Sequence, residues 1–166
     1  MNNGSEFKEE QRFTQWWLWL IISALGICSL FAVYKQIILG QEFGSKLMPN
    51  VGLIILLVFT ILFIAIFLSM KLQTLISMDS IRMKFFPFAK KDVKWEQIQR
   101  CQVVNYGFVG GWGIRLGTKY GTVYNIRGNQ GLAIELKNGK MFLIGTQKEE
   151  ELKKFIAGLK SKGLTL

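Results

Sequence analysis

The stretch "VGLIILLVFTILFIAIFLSMKLQTLISMDSIRMKFFPF", Val51 to Phe88, changes its period at one residue, and that change decides the fold. From Val51 to Met70 there are 20 residues without a charge. At 1.5 Å per residue such a run spans a hydrocarbon core of roughly 30 Å. After Lys71 apolar and polar residues alternate in steps of two, with a turn signal at Asp79-Ser80, and the segment reads as a β-hairpin. A wholly apolar helix therefore passes into a sheet with no flexible linker between them.

Toward the N-terminus a second uncharged run, "FTQWWLWLIISALGICSLFAVY", covers the 22 residues from Phe13 to Tyr34. Two helices that are apolar on every face cannot be wrapped by the rest of a 166-residue chain, which argues against a pair of ordinary core helices. A cleaved signal is also a poor fit, because the leading segment "NNGSEFKEEQR" is acidic and no small-x-small cleavage site follows the run. The expected organisation is a cytoplasmic N-terminal segment over residues 1–12, a transmembrane helical hairpin over 13–70 with spans at about 13–34 and 51–70, and a soluble domain over 71–166. Trp16, Trp17 and Trp19 are expected as interfacial anchors, where an indole buries its ring and still donates its N–H. Ala24, Cys28 and Ala32 place a small residue at every fourth position, where a neighbouring helix can approach.

Charge divides the chain at the same place. Residues 1–70 carry four Lys/Arg and four Glu, whereas residues 71–166 carry 17 Lys/Arg and 7 Asp/Glu, so the net charge of +10 belongs to the C-terminal part. Lys71, Arg82 and Lys84 follow the second run, while the 16-residue loop between the runs holds only Lys35 and Lys46. Basic residues near a span end favour the cytoplasmic side, and both termini are expected there, on a multi-pass protein of the inner membrane.

Beyond the hairpin, "KWEQIQRCQVVNY" (Lys94 to Tyr106) reads as a third strand after a charged loop, "AKKD". Then follow "WGIRLG", "TVYNIRG", "GLAIELKNG" and "KMFLIGTQ", the last two joined at Asn138-Gly139, a strong hairpin signal. The final element is helical: in "EEELKKFIAGL", Leu152, Phe155, Ile156 and Leu159 fall on one face, and Thr146 precedes Glu149 at capping-box spacing. Seven short strands and one amphipathic helix predict an α+β chain, in which the helix closes a barrel or sandwich and completes its core.

In this order of elements, and above all in the run "GGWGIR...YNIRGNQGLAIELKNGKMFLIGTQ...EEELKKFI", the soluble part resembles the bacterial pleckstrin-homology (PH)-like domains of small membrane proteins. The resemblance covers about residues 71–160 and is most specific from Trp112 to Gln147. It implies a PH-like seven-stranded barrel or sandwich with a C-terminal capping helix behind one or two spans. It also implies a membrane-tethered binding or scaffolding module, with no shared catalytic residue and no defined ligand.

The residues themselves limit the chemistry. There is no histidine, and the two cysteines stand far apart in sequence, Cys28 within a span and Cys101 beyond it, so neither a metal site nor a histidine-based catalyst is expected, and no cofactor. The segment Gly107 to Gly131 packs eight glycines into 25 positions. Its spacings match neither a P-loop nor a dinucleotide fingerprint, and strands rather than a helix are expected to follow it. Gly110, Gly111 and Gly113 are expected to let the chain bend beside Trp112, and Gly121, Gly128 and Gly131 to lie at turns. Asp79, Asp92, Glu96 and Glu135 offer no carboxylate pair, and Ser77 and Ser80 no base to activate them, so no enzyme activity is expected.

What remains is binding at a membrane surface. Lys71, Arg82, Lys84, Lys90, Lys91 and Lys94 are the expected contacts to anionic lipid headgroups or to another membrane protein, each cation being worth roughly 1 kcal/mol near an anionic surface. Nucleic acid is not an expected partner, because Phe85, Phe86 and Phe88 read as alternating core residues rather than a stacking platform. The alternative is an oligomeric pore or transporter subunit formed by the two spans, with a homo-oligomer as its consequence.

Overall fold

A computed structural model describes residues 6–41, 43 and 49–161. The chain divides into two compact units: residues up to Phe13 together with those from Met70 onward form one, and Thr14–Ser69 form the other. The class is α+β, with two apolar helices, two sheets of four and five strands, and a C-terminal helix.

The helical unit holds α1 (Trp16–Val33), a π-helical turn at Tyr34–Ile38 that continues it, and α2 (Asn50–Ser69). Both segments are long and apolar enough to cross a membrane, with mean hydropathies of 2.1 for Trp16–Ile38 and 3.3 for Asn50–Ser69. Each hydroxyl on these helices that bonds locally returns to its own backbone, Ser29 Oγ to Gly26 O at 2.9 Å and Thr60 Oγ1 to Leu56 O at 2.8 Å. The face of α1 that meets α2 carries Ile22, Gly26, Ser29 and Ala32; a Cβ on Gly26 would lie 3.4 Å from Ile64 Cδ1. The stripe expected at Ala24, Cys28 and Ala32 is thus displaced: Ala24 and Cys28 are exposed and only Ala32 belongs to the contact. A helix turns 100° per residue, so Gly26 and Ser29, three apart, share the face that Ala24 and Cys28 leave.

Among the described residues the β unit has nine strands, not the expected seven. The first sheet is a meander in the order β1 (Phe7–Arg12), β2 (Lys71–Ile76), β3 (Ser80–Phe86), β4 (Ala89–Lys94). Two of these differ from the sequence expectation. The segment over residues 1–12 supplies β1, which pairs antiparallel with β2 from Phe7↔Ile76 to Arg12↔Lys71. The charged "AKKD" is not a loop but part of β4, an edge strand, where lysines oppose further pairing.

The second sheet contains β5 (Ile98–Asn105), β6 (Gly113–Thr118), β7 (Gly121–Asn125), β8 (Gln130–Leu136) and β9 (Met141–Thr146), in the order β5-β8-β9-β7-β6. A single 3₁₀ turn, Trp95–Gln97, leads into β5. Strand β9 lies between β8, antiparallel, and β7, parallel, so the second sheet is mixed rather than a simple meander. It is buried from Phe142 to Thr146 without alternation, because both faces are covered. On one side Phe142 and Tyr124 meet the first sheet; on the other Leu143 and Val123 pack with Tyr106, Val104, Val109, Tyr120 and Ala133.

Helix α3 (Glu149–Ser161) turns Leu152, Ile156 and Leu159 inward, and its Phe155 ring lies 6.3 Å from that of Phe7 on β1. The expected capping box does not form in that way: Thr146 Oγ1 accepts from the Lys148 N–H at 3.0 Å and donates to Glu9 Oε2 at 2.6 Å. Gly131 also differs, sitting inside β8 rather than at a turn. A Cβ there would lie 2.7 Å from Ile144 O, so its glycine serves close strand approach.

Candidate functional site

The outward face of the first sheet is where the cationic residues gather, and strand register assigns each to a side. Residues paired across an antiparallel ladder share a face. One outward row is Lys8, Leu75, Arg82 and Asp92; the next is Glu10, Gln73, Lys84 and Lys90; the last is Arg12, Lys71 and Phe86. Lys8, Glu10, Gln73, Arg82, Lys84 and Lys90 line a shallow groove of about 400 Å³. Lys8 and Glu10 were not legible as part of it, since they belong to a strand that sequence periodicity did not reveal.

The six expected contacts do not form one cluster. Lys71 stands 3.8 Å from Glu10, and Arg82 3.4 Å from Asp92, so both cations have a carboxylate at hand. Glu10 also accepts from Arg12 Nε at 2.9 Å and from Gln73 Nε2 at 2.6 Å. The Arg12 hydrogen bond, then that of Gln73, with the charge of Lys71 adding to them, holds the Glu10 carboxyl below its ordinary value of 4.5. Lys91 pairs with Met83 and faces the opposite way, with its ammonium 5.1 Å from the centre of the Phe142 ring. Lys94 lies four residues along β4 from Lys90, about 13 Å at strand rise, beside Trp95 and Asp92.

Lys84 and Lys90 are left. They oppose each other directly in register, and among the described residues neither has a carboxylate partner. Like charges in that relation oppose strand pairing by tenths of a kcal/mol, and an anion between them reverses the sign. The Lys84 ammonium lies 5.4 Å from the centre of the Phe86 ring, at the tip of the same hairpin.

The aromatic residues of that hairpin depart from the expected core placement. Phe85 is fully buried and touches Tyr124, but Phe86 is 38% and Phe88 58% exposed. Phe86 is outward by the strand's own alternation, in the row of Arg12 and Lys71, and Phe88 lies in the turn closed by its N–H to Phe85 O at 2.8 Å.

The glycine-rich segment leads into β6 and folds over the second sheet. Gly110, Gly111 and Gly113 all have positive φ, and Trp112 between them is 39% exposed. Tyr106 Oη donates to Gly128 O at 2.9 Å and accepts from Asn125 Nδ2 at 3.0 Å, which ties the segment's two ends together. Cys101, buried on β5, has its thiol pushed up to about 12 by desolvation, and no group of three or more metal-ligating side chains occurs among the described residues. Trp16 and Trp17 are exposed and Trp19 partly so, in the first turn of α1.

Within the helical unit a cleft of about 450 Å³ is lined by residues such as Leu25, Ser29, Phe59 and Phe63. Its described lining contains no Asp, Glu, Lys or Arg, its one thiol is Cys28, and its hydroxyls are engaged with their own helices. No family model matches the chain, and no curated protein matches its sequence.

Proposed function

We propose that this is an integral membrane protein in which α1 and α2 cross a bacterial inner membrane and the β unit, a PH-like module, lies at the cytoplasmic surface as a non-catalytic binding or scaffolding element. The observation that carries the reading is the pairing of Arg12 with Lys71. The chain leaves the β unit and returns to it at neighbouring positions after 58 intervening residues that hold both apolar helices. Two crossings return the chain to the side it left, so β1 and everything after Lys71 share one side. The excess of lysine and arginine after Met70 supports the cytoplasm as that side.

The ligand class favoured by the outward face is anionic, because Lys84 and Lys90 face each other and neither has an ion-pair partner among the described residues, the Glu10 carboxylate in their row being taken up by Arg12, Lys71 and Gln73. The pore alternative gains nothing from the apolar lining of the helical cleft. The test uses the full chain in cells: a reporter fused after Leu166 and a cysteine introduced as Lys8→Cys in a Cys28→Ala background are both expected on the cytoplasmic side. A reporter active only outside, or the two positions on opposite sides, overturns the reading.

A further inference from the structure

We infer that the β3–β4 hairpin tip is a lipid-binding element: Phe86 and Phe88 enter the headgroup layer of the bilayer while Lys84 and Lys90 engage anionic phospholipid headgroups beside them. This rests on the membrane reading above and adds the place and the chemistry of contact.

The argument starts from strand direction. Arg12, Lys71 and Phe86 form the last outward row of the first sheet, so the tip after Phe86 lies at the sheet end where β1 stops and β2 starts. The two apolar helices are joined to the sheet at that same end, α2 through Met70 alone. If the helices cross a bilayer, that end is the one nearest the lipid. Two exposed phenylalanines there are costly in water, since a ring gains from burial only when something covers it.

Charge selects the occupant. Arg82 is balanced by Asp92 in its own row, and the Glu10 carboxylate is shared by Arg12, Lys71 and Gln73, so Lys84 and Lys90, which lie in the same row as Glu10, face each other without an ion pair among the described residues. Aromatic rings flanked by unneutralised ammonium groups suit an interface with apolar acyl chains below and phosphates at the level of the cations. A neutral membrane satisfies only half of that arrangement, and an acidic protein surface only the other half.

The test places a nitroxide on the full chain, in a Cys28→Ala, Cys101→Ala background, reconstituted in vesicles of neutral lipid with or without anionic phosphatidylglycerol. Labels are placed through Phe88→Cys at the tip, Asn138→Cys on a distant exposed turn, and Phe59→Cys within α2. Expected in anionic vesicles is a label at 88 shielded from a water-soluble nickel relaxant by about tenfold relative to 138, the factor that follows from burying a phenylalanine-sized group. Adding Lys84→Glu and Lys90→Glu should abolish most of that shielding. Nickel access at 88 equal to that at 138, with 59 in lipid, overturns the tip proposal alone; nickel access at 59 overturns the membrane reading beneath it. Shielding at 88 that survives the charge reversal overturns the headgroup part.

Discussion

Thr146 Oγ1 donates to Glu9 Oε2 at 2.6 Å across 137 residues of sequence, and the Gln147 N–H reaches the other oxygen of the same carboxylate at 2.7 Å. Glu9 is only 7% exposed. With Gln11 Nε2 donating to Gly145 O at 2.8 Å, it fastens the N-terminal strand to the last strand and the start of α3. Removing the carboxylate leaves a buried donor, the Thr146 hydroxyl, and a part-buried one, the Gln147 N–H, without this acceptor. Glu9→Ala should therefore lower stability by about 1.5–3 kcal/mol, the range for a hydrogen bond to a charged group. A double-mutant cycle with Thr146→Ala, read by chemical denaturation, should give a positive coupling energy, and strict additivity would contradict the bond's importance.

Because Arg12 and Lys71 are paired, the helical unit is removable by a short connection. Replacing Phe13 to Met70 with Asn-Gly converts β1 and β2 into an ordinary hairpin, a turn whose twist suits the flanking strands. The resulting chain should be water-soluble and show a cooperative thermal transition with intact near-ultraviolet dichroism. A chain beginning at Lys71 lacks Phe7, Glu9 and Gln11 and leaves β2 as a bare edge. It should aggregate or melt without cooperativity, and equal stability of the two chains would show that β1 is dispensable.

Two glycines should respond to alanine with opposite signs. At Gly131 a Cβ meets Leu143 Cδ2 at 2.5 Å and Ile144 O at 2.7 Å, so Gly131→Ala forces backbone apart and should cost about 1–3 kcal/mol. Gly158, within α3, has open space around its Cβ position, and Gly158→Ala should stabilise by about 0.5–1 kcal/mol through helix propensity. Denaturation midpoints of the helix-excised chain decide both.

The Cys101 thiol gives a pH dependence of definite sign. Its ordinary value is 9.0 and burial raises it to about 12, so between these values the unfolded chain loses a proton that the folded chain retains. Stability should fall as pH rises through this window, by about 1.4 kcal/mol per pH unit at most from this group. Cys101→Ala should remove that component, so the difference between the two proteins measured from pH 8 to 10.5 should be flat and then slope. A constant difference would mean the thiol titrates freely.

Lys84 and Lys90 should trade stability against binding. Lys90→Glu turns a like-charged facing pair into an opposite one and should stabilise the helix-excised chain by about 0.2–1 kcal/mol. The same change should weaken its flotation with anionic vesicles and leave any association with neutral vesicles unaltered. A variant that is both more stable and equally bound to anionic vesicles would show that the pair has only a structural part.

Much of the fold was readable because it depends on local pattern. The apolar runs, the β2–β3 hairpin, the Asn138-Gly139 turn and the stripe of Leu152, Ile156 and Leu159 each carry their own period. Strand β1 was hidden by the same logic, since its inward positions are Phe7, Glu9 and Gln11 and only the first is apolar. Polar side chains face inward there because partners on β9 and the residue after it satisfy them, and those partners lie more than 130 residues away. The outward face suffered likewise: six basic residues read as a group, yet register sends Lys91 to the other side and acids neutralise Lys71 and Arg82.

Sequence alone located the two apolar helices and the start of the sheet behind them, since two uncharged runs, a basic remainder and the switch from helical to alternating period at Lys71 are properties of neighbours along the chain. The tertiary structure decided what closes the β unit and which cations stand uncompensated. Both depend on which strand lies beside which, and antiparallel register converts a shift of one residue into a change of face.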